Sequence, residues 1–178
     1  MADDNLFAIN LVTPERILVS GLATEVILRT ADGDVTFLAG HTPLVGTVEP
    51  GVLRVGRAGG EVERVAVHGG FVQVEKNVVF DEGGSGAAPE ATGTRVTLLI
   101  GVAEPAEEID TERARAALEA AEAKVVELGG ASGRGAGPSA GEVEQTDPDL
   151  IEAEGALLRA QVRLEATDTS AGVTATAG

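Results

Sequence analysis

The sequence predicts an α+β protein, mainly β, in which an N-terminal antiparallel β-sandwich is followed by a C-terminal antiparallel two-helix hairpin. Three observations carry that prediction. Apolar residues alternate with period two from Leu6 to about Ile100, turn residues interrupt them at short intervals, and after Glu104-Pro105 the apolar spacing becomes helical.

Within the first region Phe7, Ile9 and Leu11 alternate, as do Leu53 and Val55, Val65 and Val67, Val72 and Val74, and Val96, Leu98 and Ile100. Such runs place every second side chain on one face of a strand. Asp32-Gly33, Glu49-Pro50-Gly51, Gly59-Gly60, Gly69-Gly70 and Lys76-Asn77 supply the backbone conformations at which a chain reverses. Residues 1–103 are thus expected to form a β-sandwich head. The stretch 81–95, DEGGSGAAPEATGTR, has no apolar period and reads as a flexible insertion between two strands.

Residues 104–166 are expected to form the helical hairpin. Ala114, Ala117, Leu118, Ala121, Val125 and Leu128 make one helical stripe, Asp110 is placed to cap its start, and Gly129-Gly130 is expected to end it. A Gly-rich connection, 129–146, leads to Asp147-Pro148, an N-cap and first-turn pair. Leu150, Ala153, Leu157, Ala160 and Leu164 then form the stripe of the second helix. Both stripes are rich in Ala and Gly155 interrupts the second, so the hairpin is expected to need a partner surface. Residues 167–178 have the small, polar composition of a disordered tail.

Composition narrows the function classes. Of 178 residues 43% are apolar but only 2% aromatic, with no Trp or Tyr, so the core must be aliphatic. Thirteen bases against 29 acids give a net charge of −16, the wrong sign for binding a phosphate backbone, so nucleic acid is not an expected partner. Without Cys there is neither a disulfide framework nor a thiolate site. The two His show no HxxxH or His-carboxylate spacing, so no metal site is expected, and no nucleophile-base-acid set marks a catalytic residue. The start, Met1-Ala2-Asp3-Asp4-Asn5, is acidic, and no apolar run approaches the roughly 18 residues that span a bilayer, so neither a signal peptide nor direct membrane insertion is expected.

Motifs carry the reading further. Val12-Thr13-Pro14-Glu15-Arg16, Ser20-Gly21, Asp32-Gly33-Asp34, Gly40-His41-Thr42-Pro43-Leu44, Pro50-Gly51-Val52-Leu53-Arg54, Gly69-Gly70-Phe71 and Ile109-Asp110-Thr111-Glu112-Arg113-Ala114 follow in order. This series resembles the bacterial epsilon subunit of the F-type ATP synthase, from about Leu6 to Thr167. Two departures stand out: Thr36-Phe37-Leu38-Ala39 replaces the usual Gly-Ile-Leu-Pro, and His68 stands where Ser usually precedes Gly-Gly.

The resemblance implies a non-catalytic central-stalk subunit of a proton-translocating synthase, peripheral on the cytoplasmic side of the cell membrane. Its implied partners are the gamma subunit, the membrane c-ring and the alpha and beta subunits of the catalytic head. By position, Asp34 and His41 match residues that face the c-ring in relatives. The Ile/Leu-Asp-x-x-Arg-Ala motif implies ATP as a regulatory ligand, with no cofactor required. Asp110, Arg113 and Ala114 share one helix face as an acceptor, a cation and a small gap. Glu104, Arg159 and Arg163 match further nucleotide-contacting positions, while Ala120 stands where relatives place another arginine, and Arg115 lies on a different face.

In relatives the hairpin can extend along gamma and block hydrolysis, using basic residues. Here residues 110–128 carry three bases against five acids, and residues 149–165 two against four, each a net −2. Only modest inhibition is therefore expected. The competing reading is a stand-alone β-sandwich interaction or nucleotide-sensing module.

Overall fold

Alternation becomes ten strands in the computed structural model, which describes residues 5–76, 93–132 and 147–168. In chain order they are β1 (Phe7–Val12), β2 (Ile17–Ala23), β3 (Glu25–Thr30), β4 (Gly33–Phe37), β5 (Leu44–Val48), β6 (Gly51–Gly56), β7 (Val62–Val67), β8 (Gly70–Glu75), β9 (Arg95–Ile100) and β10 (Ala103–Pro105). A short 3-10 helix, Ala106–Glu108, leads to α1 (Thr111–Ser132) and α2 (Pro148–Thr167). The sandwich-plus-hairpin class is the one the sequence predicts.

The strands follow the order β10-β7-β6-β3-β5-β8-β9-β1-β2, with β4 beside β3. All described pairings are antiparallel except β1 with β9, which run parallel. A tight turn forces its two strands to be antiparallel, but β1 and β9 are joined by most of the head and escape that constraint. Register stacks the inward side chains in rows: Leu11 opposes Leu98, which opposes Val72, and Ile9 opposes Val96, which opposes Val74. These join Phe7, Phe37, Val26, Leu28, Leu53, Val55, Val65 and Val67 in one buried aliphatic core.

Two glycines are fixed by geometry. Gly33 takes φ +116° at the β3–β4 reversal, a region that side chains with a Cβ avoid. Gly70 takes φ +156°, and a Cβ there would strike the carbonyl oxygen of Leu99 and lie 2.8 Å from Cδ1 of Ile100. The β8–β9 pair can approach only because that atom is missing.

Three boundaries differ from the sequence expectation. Arg95, placed at the end of the insertion 81–95, already pairs with Glu75 and Ala8 in β9, because a strand needs only one face of apolar residues and Val96, Leu98 and Ile100 supply it. Glu104 and Pro105, placed in the hairpin, form β10 against Ala66 and Val65 of β7. Helix α1 runs through Gly129-Gly130 to Ser132; Gly weakens a helix by about 1 kcal/mol but adopts helical angles without strain, so the two do not stop it. The remainder of the insertion (81–92), of the connection (133–146) and of the tail (169–178) lies outside the described residues.

Helix α2 lies between the head and α1. Val162 and Ala166 are buried with Ala66 of β7, and Val52, Ala106 and Ile109 complete that small cluster. Ala153 and Ala160 are also buried, but on roughly the opposite side of the axis from Val162, where Ala114 and Ala121 of α1 are buried. The outer face of β6 and β7 is therefore the seat of the hairpin.

Candidate functional site

The start of α1 is set by Asp110. Its side chain accepts from the backbone N–H of Arg113 at 3.0 Å, satisfying a helical donor that would otherwise be unpaired, and its carbonyl accepts the first intrahelical bond, from Ala114 at 2.9 Å. Capping at this residue fixes where the first turn projects Arg113 and Ala114. Ala114 is buried, and the Arg113 side chain, exposed, forms no ion pair among the described residues.

Strand β10 supplies the opposite wall. Pairing with Ala66 puts Glu104 on the outer face of the head, where α2 lies. There Arg163 of α2 donates from Nε at 2.9 and 3.1 Å and from Nη2 at 2.5 Å to the Glu104 carboxylate, a forked contact across the head–hairpin boundary. Hydrogen bonding by Arg163 holds the Glu104 carboxyl below the usual carboxylate range, against the opposing effect of burial, and the same bond raises Arg163 above its ordinary value.

Between these walls lies a cleft of about 350 Å³, lined by Glu104, Glu108, Ile109, Asp110, Arg113, Ala114, Ala117 and Arg163. Its volume is within the roughly 300–1,000 Å³ of small-molecule pockets. Five sequence-predicted residues, Glu104, Asp110, Arg113, Ala114 and Arg163, thus come together. Arg159 does not line the cleft and is exposed. Arg115 lines a separate hollow with Thr111, Leu164, Thr167 and Asp168.

Glu108 and Ala117 are lining residues that sequence reasoning missed. Ala117 lies one turn beyond Ala114 and could have been found by extending the helix face. Nothing in the spacing points to Glu108, whose carboxylate is held by Arg16 at 3.1 Å across the head.

The two residues matched to c-ring contacts are not brought together. Asp34, at the start of β4, accepts from Arg29 Nε at 3.0 Å in an exposed ion pair that raises Arg29. His41 follows the far end of β4, its ring edge-on to Phe37 with centroids 4.9 Å apart and its Nδ1 2.9 Å from the Thr42 carbonyl oxygen. Three residues of strand, roughly 10 Å, separate Asp34 from Phe37.

Comparison with known proteins agrees with this architecture. Residues 6–80 match the family model described as the β-sandwich domain of the ATP synthase delta/epsilon chain. The chain is 42% identical over 125 residues to an ATP synthase epsilon chain of Thermobifida fusca, covering 68% of this chain and 79% of that one. It is 32% identical over 160 residues to an ATP synthase epsilon chain of Desulfitobacterium hafniense, covering 90% and 95%. Among solved structures, a chain of the Euglena gracilis mitochondrial ATP synthase superposes with a TM-score of 0.60 at 25% identity, covering 86% of this chain and 76% of that one.

Proposed function

The chain belongs to the family of ATP synthase epsilon chains, and from that premise we propose that it is a non-catalytic central-stalk subunit whose hairpin senses ATP. The observation that carries the sensing role is the cleft itself, because its walls come from the head, α1 and α2 at once. A ligand held there ties the three together and favours the folded-down hairpin by mass action.

The cleft suits a nucleotide in parts. Buried Ala114 and the small Ala117 leave space for a flat base beside the first turn of α1, and the unpaired Arg113 offers forked donors to phosphate. Arg163 adds a second cation when it turns from Glu104. The closed Glu104–Arg163 pair is the resting form of the site, and ATP competes with it.

The head fits the coupling role between the gamma subunit and the c-ring of a proton-translocating F-type synthase, held peripherally at the cytoplasmic side of the cell membrane. Among the described residues no helix is long and apolar enough to cross a membrane. Across β8, β9, β1 and β2, cross-strand pairing sets Phe71 beside Leu99, Leu99 beside Val12 and Val12 beside Ile17. Phe71, Leu99 and Ile17 are each more than half exposed. An apolar row across four strands is a protein-binding surface, and we assign it to gamma. Asp34 and His41 remain the c-ring contacts; the exposed Asp34–Arg29 pair costs at most about 1 kcal/mol to exchange for a new partner.

Isothermal titration of the intact chain with ATP tests the sensing role. Saturable heat, reduced at least tenfold in affinity by Arg113→Ala, is expected; no saturation at millimolar ATP rejects it.

A further inference from the structure

His68 follows β7 directly, and its backbone N–H donates to the Val102 carbonyl at 3.1 Å. Period two along β7 puts Arg64, Ala66 and His68 on one face, the face on which Val162 and Ala166 of α2 sit. The His68 side chain is only 5% exposed, and its Nε2 lies 3.9 Å from Oε1 of Glu104, too far for a hydrogen bond. Neither ring nitrogen has a hydrogen-bond partner among the described residues. A buried polar group without a partner is rare, and this one lies beneath the forked Glu104–Arg163 contact between the head and the hairpin.

We propose that His68 is a proton-sensitive latch: neutral, it is sealed at the boundary between the head and the hairpin, and its protonation releases α2 from the head.

The surrounding charges set the direction. From α2, Arg163 and Arg159 act on the imidazole; from β10, Glu104 opposes them; from α1, Arg113 faces Glu104. The one acid is already engaged by Arg163. A proton on His68 therefore adds a cation to a sealed site where arginines outnumber the acid. Burial, and then Arg163, hold the His68 pKa below its ordinary 6.5 in the docked form, with Arg159 adding to them. Lifting α2 admits water to both ring nitrogens and removes the two arginines, so the pKa returns toward 6.5.

A group whose docked pKa is depressed in this sense binds its proton in the released form. Docking is full above about 6.5 and weakens as pH falls through that value toward the lower docked one. Glu104, held below 4.5, weakens docking only in a more acid range, so the two contributions separate.

The latch shares with the proposed function the premise that the hairpin leaves the head, but it does not require ATP. The chain has no Cys, so spin labels on Glu61→Cys and Gln161→Cys, both exposed, report the head–α2 distance without background. From about pH 8 to about pH 5.5 the docked-to-released ratio is expected to fall, by up to about tenfold per pH unit between the two pKa values. His68→Gln removes that response. A wild-type distance that ignores pH, or a His68→Gln chain that responds as wild type does, overturns the proposal.

Imidazole NMR provides a second test that does not depend on His68 variants. His41→Gln leaves His68 as the only imidazole; titration below 6.5 supports the latch, and titration at or above 6.5 overturns it. ATP calorimetry on the same labelled chain at about pH 8, where His68 is neutral, reports separately on the nucleotide reading.

Discussion

The head and the hairpin bury different things. Inside the head, Phe7, Phe37, Ile9, Leu11, Leu28, Leu53, Leu98 and Ile100 are almost completely enclosed. On the helices the enclosed residues, among those described, are Ala114, Ala121, Ala153, Ala160 and Ala166, with Val162 the one larger side chain, while Val126, Ile151 and Leu158 face outward. Each buried methylene contributes about 0.8 kcal/mol, so a seam of methyl groups holds far less strongly than a core of leucines and phenylalanines. The folded-down hairpin therefore leaves its bulkier apolar residues, Leu118, Leu157 and Leu164 among them, only half-buried. A head that must not deform and a hairpin that must let go are what the two packings provide.

The largest effect that could break this contrast lies in the core. Phe37 is fully enclosed at the end of β4 and supports His41. Phe37→Ala should cost about 3–5 kcal/mol, and because the described helices are held by a seam of mostly alanine and by the small Val162–Ala166–Ala66 cluster on the head, they should lose amide-exchange protection together with the strands. Exchange mass spectrometry resolves the two regions; helices that stay protected while the head opens would show the hairpin to be independent.

A smaller change should separate the regions in the other direction. Ala160 is 1% exposed on the α1 side of α2, and Ala160→Leu forces the helices apart at a cost of about 1–3 kcal/mol. Protection should fall across α1 and α2 while the strands keep theirs. Equal loss in the strands would mean that the seam supports the head, contrary to the comparison.

Legibility in the sequence follows the same division. Strands such as β1 and β9 are visible because a half-buried sheet imposes period two on residues that neighbour each other in the chain, as with Phe7, Ile9 and Leu11. The caps Asp110 and Asp147 are visible because capping is a contact within three residues. Pairing across distance is not local. Glu104 and Arg163 each read as a ligand contact, but their spacing of 59 residues gives no sign that they hold each other. The parallel β1–β9 pair and the burial of His68 under α2 arise from the same kind of long-range placement. The departure at His68 was visible; its environment was not, because the strand that buries it and the helix that charges it lie in different regions of the chain.

The smallest effect sharpens the comparison most, because it touches only a helix end. Asp147 accepts from the Asp149 backbone N–H at 3.0 Å, with Pro148 in the first turn. Asp147→Ala leaves that donor to water and should cost about 1 kcal/mol. The first turn of α2 lies far along the helix from Val162 and Ala166, which rest on the head, so the loss should appear as fraying from residue 148 toward Ala153. Residues 159–167 should keep their protection, since the Glu104–Arg163 contact and the Ala66 cluster hold that half from the other end. If protection falls evenly along α2 instead, the helix docks as one rigid rod. The head would then hold it through the whole seam, and the alanine packing would be stronger than its methyl groups account for.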